Sequence, residues 1–183
     1  MLVDITLWTY LFALSVGILA TLIAFLRPNA DTLKKAVILG LFLALADFVF
    51  ENWGAQAGLW TSFGSPLFLW AVPIQVVLIA ILAGMAYHLV IRPRADALYV
   101  VSTSLLIAMI GVGIEGLLLD YQLLAYAGGW SSVHAMASYF VMFVVLNWVN
   151  LKLSGRRIFH EDRHDQPHAA TTAGKTGAKK KKR

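Results

Sequence analysis

Cysteine does not occur in this 183-residue chain. Its absence excludes disulfides, thiolate nucleophiles, Fe–S clusters and cysteine-based zinc sites together, and it leaves the redox compartment open. Charge is scarce as well. Only 14% of the residues are Asp, Glu, Lys or Arg, against 59% hydrophobic ones, whereas soluble domains run near a quarter charged. With a mean hydropathy of +0.71, the composition excludes an ordinary water-soluble domain. The net charge of +5 is unevenly spread: residues 154–183 hold nine Lys or Arg against three acids, so the body of the chain is nearly neutral and its tail basic.

Five apolar stretches reach the ~20 residues that a helix needs to cross ~30 Å of hydrocarbon. They cover residues 5–26, 36–55, 66–91, 97–119 and 133–153. Continuous runs lack the alternation of a membrane barrel, and in lipid only helices or closed barrels satisfy every backbone group. The expected fold is therefore all-α, a polytopic bundle of five transmembrane helices over residues 1–155, followed by a basic, disordered cytoplasmic tail over 156–183. Arg27-Pro28-Asn29, Arg92-Pro93-Arg94 and Gly128-Gly129 punctuate the runs. Arg27, Lys34, Lys35, Arg92, Arg94, Lys152 and every later Lys or Arg follow the first, third or fifth run. All the basic residues then fall on one side, which the positive-inside rule makes cytoplasmic. The expected topology is N-out, C-in in the plasma membrane. With no basic residue before it and a run too long for a signal-peptide core, the first span is expected to stay as a signal-anchor.

Several motifs dissolve on inspection. Gly111-Val112-Gly113-Ile114-Glu115-Gly116 matches a dinucleotide fingerprint but lies inside an apolar helix without a strand before it; close helix packing through small residues explains it better. Gly174-Lys175-Thr176 lacks the rest of a P-loop. His160, His164 and His168 share helical spacing, but Pro167 interrupts them and the surrounding composition cannot bury a core. The terminal Lys179–Arg183 run suits anionic headgroups or a protein partner, with no interleaved aromatics to indicate a specific nucleic-acid site. No metal or cofactor is expected. Trp53, Trp60, Trp70 and Trp130 lie near the predicted outer ends, where an aromatic belt is expected.

The informative residues are carboxylates inside apolar runs. A charge at mid-bilayer costs at least ~2.5–3.5 kcal/mol on insertion scales, so such residues usually face protein or water and serve a function. Asp47 and Glu51 are one turn apart on a single face of the second span, and Glu115 reaches a similar depth on the fourth. Two acids one turn apart in a low dielectric cannot both ionise cheaply, which leaves a protonated carboxyl available. Glu51 is expected to handle the proton, Asp47 to tune it, and Glu115 to act as opposing base or second acid. Gln75 is expected to orient a substrate or one carboxyl, with His134, Trp60 and Trp130 around the site. A structural alternative pairs the carboxyls with Asn52, Gln56, Gln75 or His134. Asn147, Asn150, Ser102 and Ser104 are expected to bond between helices.

Asp47 and Glu51 lead to Gly58-Leu59-Trp60-Thr61-Ser62; Glu115 and Asp120 lead to Gly128-Gly129-Trp130-Ser131-Ser132. Spans two-three and four-five are therefore expected to form a parallel repeat about an axis along the membrane normal. Together with Ser65-Pro66 and Trp70-Ala71-Val72-Pro73-Ile74-Gln75-Val76, the first copy resembles the small-membrane-protein type of lycopene cyclase and related carotenoid-biosynthesis proteins, over about residues 44–90. In that family the next helix opens with Pro-x-Glu-(Glu/Asp); Gln75 and Val76 stand there in this chain. The resemblance implies a lipid-modifying enzyme on an isoprenoid, with cyclase- or isomerase-like acid–base chemistry. The physical requirements agree: a strong acid in a dry site, aromatic faces for a carbocation and a carboxylate to recover the proton. Two other classes remain open, a small proton-linked transporter using the same acids as a relay, and a non-catalytic assembly subunit or anchor. A bundle this small is also compatible with self-association.

Overall fold

The computed structural model describes residues 2–155, with the side chains of 2–6 left out. The tail, with His160, His164, His168 and the terminal basic run, lies outside the described residues. Five helices dominate: α1 (Leu2–Leu26), α2 (Ala30–Gln56), α3 (Ile74–Val90), α4 (Ala97–Asp120) and α5 (Ser132–Leu153). Three of them are long and apolar enough to cross a membrane, over Leu7–Leu26, Ala97–Asp120 and Ser132–Leu153. These features are those of a helical membrane protein.

Local chemistry sets the boundaries. Arg27 takes a left-handed φ of 46° at the end of α1, and Pro28 cannot continue a helix. Asn29 caps α2 by accepting the Thr32 N–H at 2.8 Å, and Asp96 caps α4 through the Tyr99 N–H at 2.7 Å; each satisfies an otherwise orphaned donor. An Asp31–Lys35 ion pair of 2.6 Å follows the first cap.

The end of the bundle where α2 and α4 finish is called upper below, the opposite end lower. Helix α3 packs on α1 and α2, and α5 on α4 and α2. The α2–α3 crossing is close because two glycines meet: a Cβ on Gly84 would sit 2.7 Å from Gly40 Cα, and one on Gly40 2.5 Å from Ile81 O. Around them Leu39, Leu43, Ala44, Ala80, Tyr87 and Leu146 form the core of α2, α3 and α5.

Two expectations are corrected. The fold is mostly, but not wholly, α. Short strands β1 (Trp60–Ser62) and β4 (Leu124–Tyr126) pair antiparallel, as do β2 (Phe68–Leu69) and β3 (Val72–Pro73). The third apolar run also begins helically only at Ile74, because Pro66, Pro73 and the left-handed Trp70 (φ 56°) divert residues 66–73 into the β2–β3 hairpin. Proline's missing N–H and fixed φ oppose helix there. The packing role of the fourth-span glycines narrows as well. Gly111 meets the Tyr139 ring, whereas a Cβ at Gly113 or Gly116 would meet open space, these two lying on other faces of α4.

Helices α2 and α4 end alike. After α2, Gly58 N–H bonds to Ala55 O at 3.1 Å and Leu59 N–H to Gly54 O at 2.9 Å; after α4, Gln122 N–H bonds to Leu119 O at 3.0 Å and Leu123 N–H to Leu118 O at 2.8 Å. Each is a Schellman motif around a left-handed residue, Gly58 at φ 71° and Gln122 at φ 57°. Each is followed by the strand that pairs with the other. Trp60 opposes Tyr126, Thr61 opposes Ala125 and Ser62 opposes Leu124. Beyond the ladder, Phe63 N–H donates to Leu123 O at 2.8 Å and Ala127 N–H to Leu59 O at 2.7 Å. This pattern has a local two-fold through Thr61 and Ala125. The structural match of Gly58 is therefore Gln122, not Gly128, and the Gly-x-Trp echo is out of register with it.

Candidate functional site

The corresponding helix ends fix where the acids lie. Glu51 stands seven residues before Gly58, and Glu115 seven before Gln122, so the two occupy equivalent positions on α2 and α4. Asp47 corresponds by the same offset to Gly111 and has no acidic counterpart. The three carboxyls lie within electrostatic reach of one another, and Tyr139 of α5 lies within the same reach of all three. Asp47 and Glu115 are half-buried as whole residues, yet Asp47 Oδ2 and Glu115 Oε2 are buried and accept no hydrogen bond among the described residues. No Lys or Arg occurs between residues 36 and 91 or between 95 and 151. Among the described residues the carboxyls are thus gathered without a Lys or Arg partner.

Glu51 is held differently. Its Oε2 accepts the Trp60 indole N–H at 2.8 Å. Trp60 is 4% exposed, and its ring lies where any side chain at Gly54 would have to go. From Trp60 an aromatic wall continues through Trp130 at 4.8 Å between ring centroids, with Phe50 at 5.3 Å from Trp60 and 6.2 Å from Trp130. His134 stacks on Trp130 at 5.3 Å, and its Nδ1 lies 2.9 Å from Ser131 Oγ. Burial, and then the adjacent Glu115 carboxyl, push the Tyr126 phenol above the usual tyrosine range. Its hydroxyl lies beside Glu115 and Ser132, but without hydrogen-bond geometry among the described residues.

The structure thus brings together Asp47, Glu51 and Glu115, joins Glu51 to Trp60 and Trp60 to Trp130, and sets His134 on the outer side of that wall. Gln75 is not placed on a carboxyl: its Oε1 lies 2.7 Å from Ser65 Oγ, at the base of the β2–β3 hairpin. Asn52 likewise serves the backbone, donating to Phe48 O at 2.8 Å and accepting the Ala71 N–H at 3.1 Å. Pairing of the acids with Asn52, Gln75 or His134 is therefore not what holds this end. Tyr126 and Tyr139 belong to the cluster and escaped sequence reasoning. Tyrosines near helix ends read as belt residues, and only the β1–β4 register, invisible in one copy, turns Tyr126 inward.

The lower half uses its polar groups structurally. Asn150 Oδ1 meets His88 Nδ1 at 2.7 Å and its Nδ2 donates to Ile91 O at 3.3 Å, while Asn147 Nδ2 donates to Arg94 O at 3.0 Å. These bonds hold the α3–α4 connection against α5, as expected of Asn147 and Asn150. Ser102 instead bonds within its own helix, to Leu98 O at 2.8 Å, and Ser104 Oγ is buried without a partner among the described residues. A helical serine reaches its own i−4 carbonyl more readily than a neighbouring helix.

The tryptophan belt is divided. Trp53 and Trp70 are 56% and 81% exposed, as a belt requires, but Trp60 is interior. Among the described residues no group of three His, Asp or Glu side chains is arranged to hold a metal ion. Comparison with known proteins found no family model, no curated protein and no solved structure that matches the chain.

Proposed function

We propose that this chain is a five-span protein of the plasma membrane, N-out and C-in, that performs acid–base chemistry on an apolar, isoprenoid-type lipid. The two helical hairpins, α2–α3 and α4–α5, are read as parallel repeats about the membrane normal, with the upper end outside. One observation carries the reading: Asp47, Glu51 and Glu115 converge in the upper half with two buried oxygens that accept no hydrogen bond and with no Lys or Arg beside them among the described residues. Structural cohesion between helices needs only amides and hydroxyls, as the lower half illustrates with Asn147 and Asn150, whereas three acids are costly.

In this reading Glu51 delivers the proton to an alkene carbon, and Trp60 orients its carboxyl while offering an aromatic face to the developing cation. Glu115, equivalent in position, recovers a proton from the opposite side. Asp47, present in one copy only, makes the two sides unequal and so sets which carboxyl holds the proton. The resemblance to lycopene cyclases supports the substrate class. The substitution of their acidic pair by Gln75 and Val76 moves the acids to α2 and α4 in this proposal. Anionic headgroups remain the proposed partner of the basic tail.

The test is mass spectrometry of apolar compounds that co-purify with the wild-type chain and with Glu51→Gln. The amide preserves an acceptor for the Trp60 N–H, so the variant should fold with unchanged thermal stability. It should lose conversion of the compound found with the wild type. Retained conversion by a folded Glu51→Gln protein would remove Glu51 from the chemistry.

A further inference from the structure

The apolar run of residues 66–91 does not cross as one helix. Helix α3 has 17 residues, about 25 Å at 1.5 Å per residue, which falls short of a ~30 Å hydrocarbon core. The first eight residues of the run, Pro66 to Pro73, form the β2–β3 hairpin instead. Its outward side chains are those of a membrane segment: Leu67, Leu69 and Trp70 are 60%, 47% and 81% exposed, and Phe68 38%.

The hairpin does not project past the end of the bundle. The Trp70 ring stacks on Phe48, with centroids 5.6 Å apart. Phe48 lies eight residues before the end of α2, roughly 12 Å down the helix. The Ala71 N–H is taken by Asn52, also within the last two turns of α2. The hairpin therefore stands beside the last turns of α2.

Non-helical backbone does not occur lipid-exposed in the hydrocarbon region and is tolerated at membrane depth only where it is buried in protein or reaches water, so the outer edge of this hairpin requires the hydrated headgroup boundary. Pro66 and Pro73 have no N–H to satisfy. Leu67 N–H donates to Ser65 Oγ at 3.2 Å, Ile74 N–H to Leu67 O at 3.1 Å, and Ala71 N–H to Asn52 Oδ1 at 3.1 Å. The ladder pairs Phe68 with Pro73 and Leu69 with Val72. In water a hairpin of two residues per strand with an apolar outer face would be marginal.

We propose that residues 66–73 are a re-entrant hairpin lying at the headgroup–acyl boundary of the leaflet at the upper end, its apolar side chains turned to lipid and its outer backbone edge to interfacial water, so that hairpin and α3 together make the third crossing. Its partner is the interfacial layer of that leaflet. The inference rests on the five-span reading and goes beyond it by assigning lipid contact to a segment that is neither helix nor loop.

Because the chain has no cysteine, single-cysteine variants need no background removal. The full chain is reconstituted in phosphatidylcholine vesicles with a nitroxide at Leu69→Cys or, as a second position, Leu67→Cys. Collision rates with oxygen and with a neutral nickel chelate are compared for each. Val49→Cys, on the exposed face of α2, marks the bilayer interior, and Thr61→Cys, on β1, marks the water side. Both hairpin positions should show an oxygen-to-nickel ratio several-fold above that of Thr61→Cys and below that of Val49→Cys. Hairpin ratios equal to Thr61→Cys, with Val49→Cys immersed, overturn the hairpin's lipid contact and leave the five spans standing. A Val49→Cys ratio equal to that of Thr61→Cys overturns both.

Discussion

The residues that matter most at the upper end act in pairs, a small one making room for a large one. Gly54 leaves the space that the Trp60 ring fills, and the ring's N–H reaches Glu51. Gly54→Ala should therefore act on the site without touching an acid. The added methyl overlaps the indole, and overpacking of this kind costs typically ~1–3 kcal/mol. The expected result is a lower unfolding temperature together with red-shifted tryptophan emission as Trp60 moves towards solvent or lipid headgroups; unchanged emission would mean that the ring finds another way to stay. Trp60→Phe isolates the polar part. It keeps an aromatic face beside Phe50 and Trp130 but removes the only hydrogen-bond donor given to Glu51 among the described residues. The expected outcome is a folded protein with lipid bound and conversion reduced, read by the co-purification assay against wild type.

Among the elements, the helices were legible in the sequence and the connections were not. Four of the five apolar runs end within a few residues of α1, α2, α4 and α5 because Pro28, Asn29 and Asp96 act locally, through φ and through caps. The third run misled because hydropathy reports burial or lipid contact and is silent on conformation. Leu67, Phe68, Leu69 and Trp70 are as apolar in a hairpin as in a helix. The acid cluster was partly legible: the i, i+4 spacing of Asp47 and Glu51 places them on one face whatever the fold. The equivalence of Glu115 with Glu51 rests on matching helix ends, and Gln122 adopts the left-handed conformation that sequence assigns to glycine. Two element-scale predictions follow from the packing. Gly84→Ala drives a methyl against the Gly40 backbone rather than a side chain, so α2 and α3 must separate; a loss of about 1–3 kcal/mol is expected in reversible unfolding in detergent or lipid. Asn150→Ala removes both its contact to His88 and its bond to Ile91 O, leaving partners unsatisfied at about 1–3 kcal/mol. It should loosen the α3–α4 connection, seen as faster hydrogen exchange at residues 91–96, while the acid cluster at the far end keeps its function.

For the whole molecule, the distribution of charge and the symmetry of the upper end make the same demand. If the basic residues mark the cytoplasmic side, then the connections bearing β1 and β4 lie together on the other side, as their pairing requires. Reporter fusions after Leu59 and after Gly129 should read external, and fusions after Pro93 and after Lys175 cytoplasmic. A split result between the first two is incompatible with the β1–β4 ladder, and a cytoplasmic signal at both reverses the orientation. The molecule is also pinned at two levels, above by β1 and β4, below by Asn147 and Asn150. Truncation after Phe159 removes neither set of contacts, and the thermal stability of the remaining bundle should be unchanged; a large loss would mean that the tail docks on it.

The bond from Trp60 to Glu51 also gives the protein an intrinsic optical gauge. An indole emits at a wavelength set by the local field, and here its N–H points at the carboxyl proposed to gain and lose a proton. Subtracting the emission of Trp60→Phe from that of the wild type isolates one chromophore of six. Followed across a pH series, that difference spectrum should trace the charge of the acid cluster at Glu51, with Glu51→Gln showing how much of the response is Glu51's own, before any substrate is known.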